Sequence, residues 1–182
     1  MKITSYIGVI ENFRTYSGAK SSANFIALFS KEIAPTIRQV PAVVLSDGKT
    51  PVIIAVKLED AADKSPNFAL SGAKLVTLNR DASAAWIIEA LPQKGVAKAA
   101  LTILTDSETV EYPLTVAVAV ESVSTSEADF AVFLKDSGVT TPKRDLNGDG
   151  KHDYLDDFIY TANYLVLREA ASKVKKKPHD EK

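Results

Sequence analysis

The middle of the chain alternates between apolar and polar positions. Val52, Ile54, Val56 and Leu58 alternate with Ile53, Ala55, Lys57 and Glu59, and Trp86, Ile88 and Ala90 alternate with Ile87, Glu89 and Leu91. Tyr112, Leu114, Val116, Val118 and Val120 make one more face. A period of two puts one side of a strand on a core. Strands are expected near 37–45, 52–58, 73–79, 85–91, 97–104 and 109–120, with a seventh around Asn67–Leu70. Turn signals separate them at Ser46-Asp47-Gly48, Asn79-Arg80-Asp81, Lys94-Gly95 and Thr105-Asp106-Ser107. Short strands at this spacing, without long helices between them, predict an antiparallel sandwich.

The two ends follow a helical period. Ile3, Tyr6, Ile7, Ile10, Phe13 and Tyr16 recur at helical spacing up to Gly18, and Ser21 or Ser22 can cap a second helix carrying Phe25, Ile26, Leu28 and Phe29. A pair of strands is the alternative for this stretch, which is rich in β-formers. Past the polar segment 122–126, Ser126 and Asp129 form a capping pair for a helix with Phe130, Phe133 and Leu134, ended by Gly138. Leu155, Phe158, Ile159, Ala162, Leu165 and Val166 mark an amphipathic helix. The expected organisation is a helical segment at 1–34, a sandwich at 35–122, a loop-helix segment at 123–172 and a disordered basic tail at 173–182. The fold class is mainly β with helical appendages.

Residues 35–122 resemble bacterial immunoglobulin-like domains. The resemblance lies in a proline-interrupted first strand (Val40-Pro41-Ala42), one core tryptophan (Trp86) and a last hairpin ending Glu111-Tyr112-Pro113-Leu114-Thr115-Val116. It implies a fold and no activity.

Chemistry concentrates between the last two helices. Residues 145–156 read Asp-Leu-Asn-Gly-Asp-Gly-Lys-His-Asp-Tyr-Leu-Asp. Oxygen donors stand at loop positions 1, 3, 5, 9 and 12, as Asp145, Asn147, Asp149, Asp153 and Asp156, and Lys151 at position 7 offers its backbone carbonyl. Calcium takes about six to eight oxygens, and alternate residues of a tight loop aim successive side chains at one point. Gly150 at position 6 permits the sharp turn. Without a cation, four aspartates within the loop repel one another. The expected cofactor is one Ca²⁺.

This loop and the helix after it resemble one half of a dockerin, the calcium-loop module that docks into a cohesin domain. Asp145-Leu-Asn-Gly-Asp-Gly and Asp156 carry the match. Dockerins have two such repeats and a lysine-arginine pair in the helix; this chain has one repeat, with Thr161 and Ala162 near the place of the pair. The resemblance implies the calcium ligands and a protein-docking role. Asp156 stands where a calcium-sensor hand has glutamate, and His152 where paired hands place an aliphatic residue. An unpaired hand of this kind predicts a stability clip, with affinity near about 10⁻⁴–10⁻³ M.

The bulk numbers narrow the remaining classes. A net charge of −1 supplies no field for nucleic acid, and no apolar run approaches the about 20 residues that insert into a membrane. The absence of cysteine removes disulfides and thiolate sites. The apolar run after Met1 is cut short by Glu11 and Asn12 and is not read as a signal peptide. The two histidines, His152 and His179, build no catalytic triad, and acid pairs such as Glu59/Asp60 and Asp156/Asp157 are adjacent and splay apart. An enzyme is not expected. The expectation is a structural or adhesive module of a secreted or cell-surface protein, the periplasm being the other compartment, whose partners are proteins or domains of a parent protein. A dockerin-like docking module and an accessory carbohydrate-binding domain are the alternatives.

Overall fold

The alternating segments form strands, and the structure, a computed structural model, describes residues 2–58, 66–139 and 141–175. The acid pair Glu59/Asp60, Thr140 and the tail beyond residue 175 lie outside the described residues. The protein is mainly β, with several sheets and a few helices. One four-stranded sheet has the order β2 (Ile37–Val40), β4 (Val52–Val56), β7 (Trp86–Pro92), β6 (Ala73–Arg80), and every pairing in it is antiparallel. A second has the order β1 (Lys2–Ser5), β9 (Glu108–Leu114), β8 (Ala99–Leu104), β5 (Asn67–Ser71). Here β5, β8 and β9 are antiparallel, but β1 runs parallel to β9. A short parallel pair, β3 (Val44–Leu45) with β10 (Val116–Ala117), stands between.

The two large sheets share one aliphatic core. Val52, Ile54, Val56, Ile88 and Ala90 are fully buried from one side, and Leu101 and Ile103 from the other. At about 25 cal/mol per Å² of apolar surface removed from water, this alternation is the main drive for the sheets. Tyr112 joins them, and its burial pushes the phenol up to about 12. Trp86, expected in the core, is only half-buried; it sits edge-on to Phe68 with the Arg80 guanidinium 4.8 Å over its ring. Strand β6 is an edge, exposed along nearly all its length, with a register shift between Leu75 and Thr77.

Two continuous strands of the sequence pattern are broken in the fold. The stretch 37–45 divides into β2 and β3 around a cis Val40–Pro41 bond, and 109–120 divides into β9 and β10. Gln39 explains why the breaks coincide. Its buried amide accepts from the Thr115 N–H and donates to the Thr115, Pro41 and Ala42 carbonyls, supplying partners where the ladder stops.

The N-terminal segment also departs from its helical spacing. Residues 2–5 form strand β1, held by backbone bonds to β9 and by Thr4 and Ser5 hydroxyls donating to Glu108 and Glu111. Helix α1 spans only Val9–Arg14, and Ile7, placed on the expected apolar stripe, is exposed. Helix α2 (Ser22–Leu28) starts where expected, with the Ser21 hydroxyl accepting from the Asn24 N–H. Ser126 caps α3 (Glu127–Leu134) in the same way.

Helix α4 (Tyr154–Lys175) is no appendage. Every residue from Asp156 to Tyr164 is buried, so this part of the helix is enclosed on all sides rather than along one stripe. It is the axis of a second, largely aromatic core. Phe13, Phe25 and Phe29 contribute from the N-terminal segment, Val43 and Ala117 from the strand region, and Phe130 and Phe133 from α3. This core therefore crosses the segment boundaries expected near residues 34 and 122. Asn163 fastens the helix to the chain leaving β10, accepting from the Val120 N–H at 2.9 Å and donating to the Val118 carbonyl at 2.9 Å.

Candidate metal centre

The loop that enters α4 is shaped by its own amides. Gly148 and Gly150 have φ of 77° and 83°, the left-handed region that only glycine adopts without strain. The turn they permit lets the Asp145 carboxylate accept from three backbone N–H groups. These are Gly148 at 2.7 Å, Asp149 at 3.1 Å and Gly150 at 2.6 Å. Asn147 Oδ1 accepts from the Asp149 N–H, and its amide nitrogen donates to Asp149 Oδ2 at 2.9 Å. Asp149 Oδ1 takes the Lys151 N–H at 2.9 Å.

The far end of the loop doubles as a helix cap. Asp153 Oδ1 accepts from the Leu155 N–H, while Asp156 Oδ2 accepts from the Asp153 N–H, a reciprocal arrangement that satisfies orphan donors of the first turn. Asp156 also reaches back to the start of the loop. Its Oδ1 accepts from Leu146 N–H at 2.6 Å and Asn147 N–H at 3.3 Å. One carboxylate from the helix thus closes the loop end to end.

The expected ligands fall into two groups by exposure. Asn147, Asp149 and Lys151 stand exposed on the rim, Asp145 and Asp153 are half-buried, and Asp156 is 0% exposed at the base. Among the described residues, the ion pairs nearest the loop go to Asp157 and Asp136, and none reaches Asp156. No three His, Cys, Asp or Glu side chains among the described residues are gathered into a ready metal cluster. The carboxylates are instead turned onto the loop's amides. The donor set is nevertheless all oxygen, which is the chemistry of a hard cation such as calcium. The loop's one histidine is engaged elsewhere.

That engagement was not anticipated from the spacing. The His152 side chain is fully buried against the Phe133 ring, with Nε2 3.3 Å from Asp157 Oδ1 and Nδ1 3.6 Å from Asp136 Oδ2. Burial alone would lower its pKa. The hydrogen bond and charge of Asp157, with the charges of Asp156 and Asp136, outweigh that and hold the imidazole above its ordinary value. On the far side of Asp157, Lys20 donates to Oδ2 at 2.7 Å and to the Ser137 hydroxyl at 2.8 Å. Asp136 in turn accepts from the Arg144 N–H at 2.9 Å. The carboxyl of Asp136 would be raised by burial, but amide bonds from Lys143 and Arg144 and the charge of His152 hold it low. Adjacent Asp156 and Asp157 face different partners, and that division was the available signal for a second polar cluster behind the loop.

Comparison with known proteins gives little to set beside this geometry. No protein family matches the chain, and no curated protein matches it. Among solved structures, the Yersinia pseudotuberculosis adhesin InvE is similar over 45% of this chain and 26% of its own, at 14% identity and a TM-score of 0.37. At that score the likeness carries no argument about fold or role.

Proposed function

We propose that this chain is a calcium-binding, non-catalytic structural or adhesive module of a secreted or cell-surface protein, in which calcium clips α4 into place. One observation carries the reading. The Asp156 carboxylate is fully buried, closes a loop of oxygen donors end to end, forms no ion pair among the described residues, and sits in the first turn of a helix that is core from Asp156 to Tyr164. Burying a carboxylate costs several kcal/mol, against which the fold sets three loop amides and the nearby His152. A divalent cation in the loop would compensate it. Asp145, Asn147, Asp149, Asp153 and Asp156 would hold the ion through side-chain oxygens and Lys151 through its backbone carbonyl.

The strand order supports an immunoglobulin-like sandwich as the other half of the module. Lettering β2, β4, β5, β6, β7, β8 and β9 as A to G, the two sheets read A-B-E-D and C-F-G, the constant-type arrangement. Burial of Phe158, Ile159 and Ala162 favours the clip over a dockerin-like docking face, since those side chains are spent inside the molecule. Trp86, wedged between Phe68 and Arg80, offers no free platform for a sugar ring.

Calorimetric titration of calcium into metal-stripped protein tests the proposal. One site per chain is expected, and calcium at about thirty times its Kd should add about 2 kcal/mol to stability. Two sites, or no heat at millimolar calcium, would overturn it. Magnesium should bind more weakly, because it demands a small octahedral shell.

A further inference from the structure

The polar cluster behind the loop belongs to neither the metal ligands nor the sheets. It joins three distant parts of the chain: Lys20 after α1, Asp136 and Ser137 after α3, and His152 just before α4 with Asp157 in its first turn. The next residue, Phe158, is stacked on Phe29 at 5.5 Å and meets Phe13 edge-on at 5.6 Å. Helices α1 and α2 pack chiefly on α4 and on each other, with α3 beside α2. Their position is therefore set by the first turns of α4. Those turns begin with Asp156, which faces the loop, and Asp157, which faces Lys20.

We propose that the state of the loop is read at the N-terminal helical pair. Resting on the calcium reading above, a cation at Asp156 fixes the backbone that presents Asp157 and Phe158 to residues 9–29. Loss of the cation slackens that turn, frees Lys20 and loosens α1 and α2, baring the phenylalanine surface of Phe13, Phe25 and Phe29. The calcium loop then governs both ends of the chain, although its own ligands come from one. The adjacency of two carboxylates with different partners is what links them. Asp156 and Asp157 share one planar peptide unit, so a shift of the helix backbone at one is passed to the other.

Hydrogen exchange on the full chain, with and without calcium, tests this. Stripping calcium should raise exchange across 9–29 about tenfold, while β4, β7 and β8 change little. Lys20→Met, at an exposed position, should keep calcium affinity within about threefold and yet raise exchange across 9–29 about fivefold in the calcium-loaded protein. If calorimetry records calcium binding but residues 9–29 exchange identically in both states, the linkage is overturned and the calcium site stands. Absence of any calcium heat removes both. An equal rise in the sheets, or wild-type exchange in the Lys20 variant, would also refute a link specific to this route.

Discussion

The sheet core and the helical core are held together by different means. The first is aliphatic and made by strands that supply their own neighbours: Val52, Ile54 and Val56 face Leu101 and Ile103 across two sheets. The second is aromatic and made by pieces remote in the chain. Phe130 lies within 5 Å of the Tyr160 and Tyr164 ring centres, and Phe133 stacks on Tyr160 at 4.0 Å. Strand pairing brings the first core its partners through a backbone ladder. The second has no ladder and depends on α4 being aimed correctly, a task that falls to a loop of twelve residues. A core of that kind is expected to fail first and to fail as a unit.

Substituting the centre of the aromatic core should break the comparison most severely. Phe158→Asp places a charge at a position 4% exposed between two phenylalanines. A loss of about 4 kcal/mol or more is expected by urea denaturation, from lost packing plus a buried unpaired charge. A loss under about 1 kcal/mol would mean that α4 is not seated as described.

Asp145→Ala should separate the two regions more gently. The variant should lose calcium binding and raise hydrogen exchange across 140–170, with little change across 50–120. Equal loosening of both would contradict two independently supported cores.

The smallest effect concerns acidity. The folded pKa of His152 lies above its unfolded value, so its stabilising contribution is complete below about pH 6.5 and fades as pH rises through the folded value. The melting temperature of His152→Gln should therefore lag the parent most near pH 5.5 and least near pH 9. Asp136, whose pKa is lowered, works in the opposite sense, contributing above its unfolded value and losing that contribution as pH falls through the folded one. A gap between parent and variant that widens toward high pH would contradict a charged imidazole in this cluster.

What could be foreseen followed the range of the interaction. Ile88 and Ala90 declared their burial through alternation alone, and Ser21 and Ser126 declared two helix starts, because each effect is local. The tight turn at Gly150 was legible for the same reason. Strand β1 was not. Ile3 and Tyr6 fall at helical spacing, but β1 is fixed by a ladder to β9 more than a hundred residues away, with Ile3 left 67% exposed. The interruptions at Pro41 and Thr115 depend on a Gln39 side chain that crosses between segments. Likewise, Asp156 was recognisable as a donor, but its burial was not, since that follows from aromatic rings drawn from other parts of the chain. His152 looked like a misfit within its loop because its partners, Asp136 and Asp157, lie outside that loop or on the helix beyond it.

Edge strand β6 bears on how these molecules behave in a crowd. Leu75, Val76 and Leu78 are 44%, 49% and 39% exposed, on a strand of eight residues that has no second neighbour in its sheet among the described residues. Such an edge is a template for another chain's strand and a route to fibrous aggregation. Here the register shift between Leu75 and Thr77 interrupts the straight run, while Lys74 and Arg80 put positive charge near its two ends. Two copies meeting antiparallel would bring lysine toward arginine and bend out of step midway. The irregularity within one sheet therefore also works against growth strand upon strand when many copies meet.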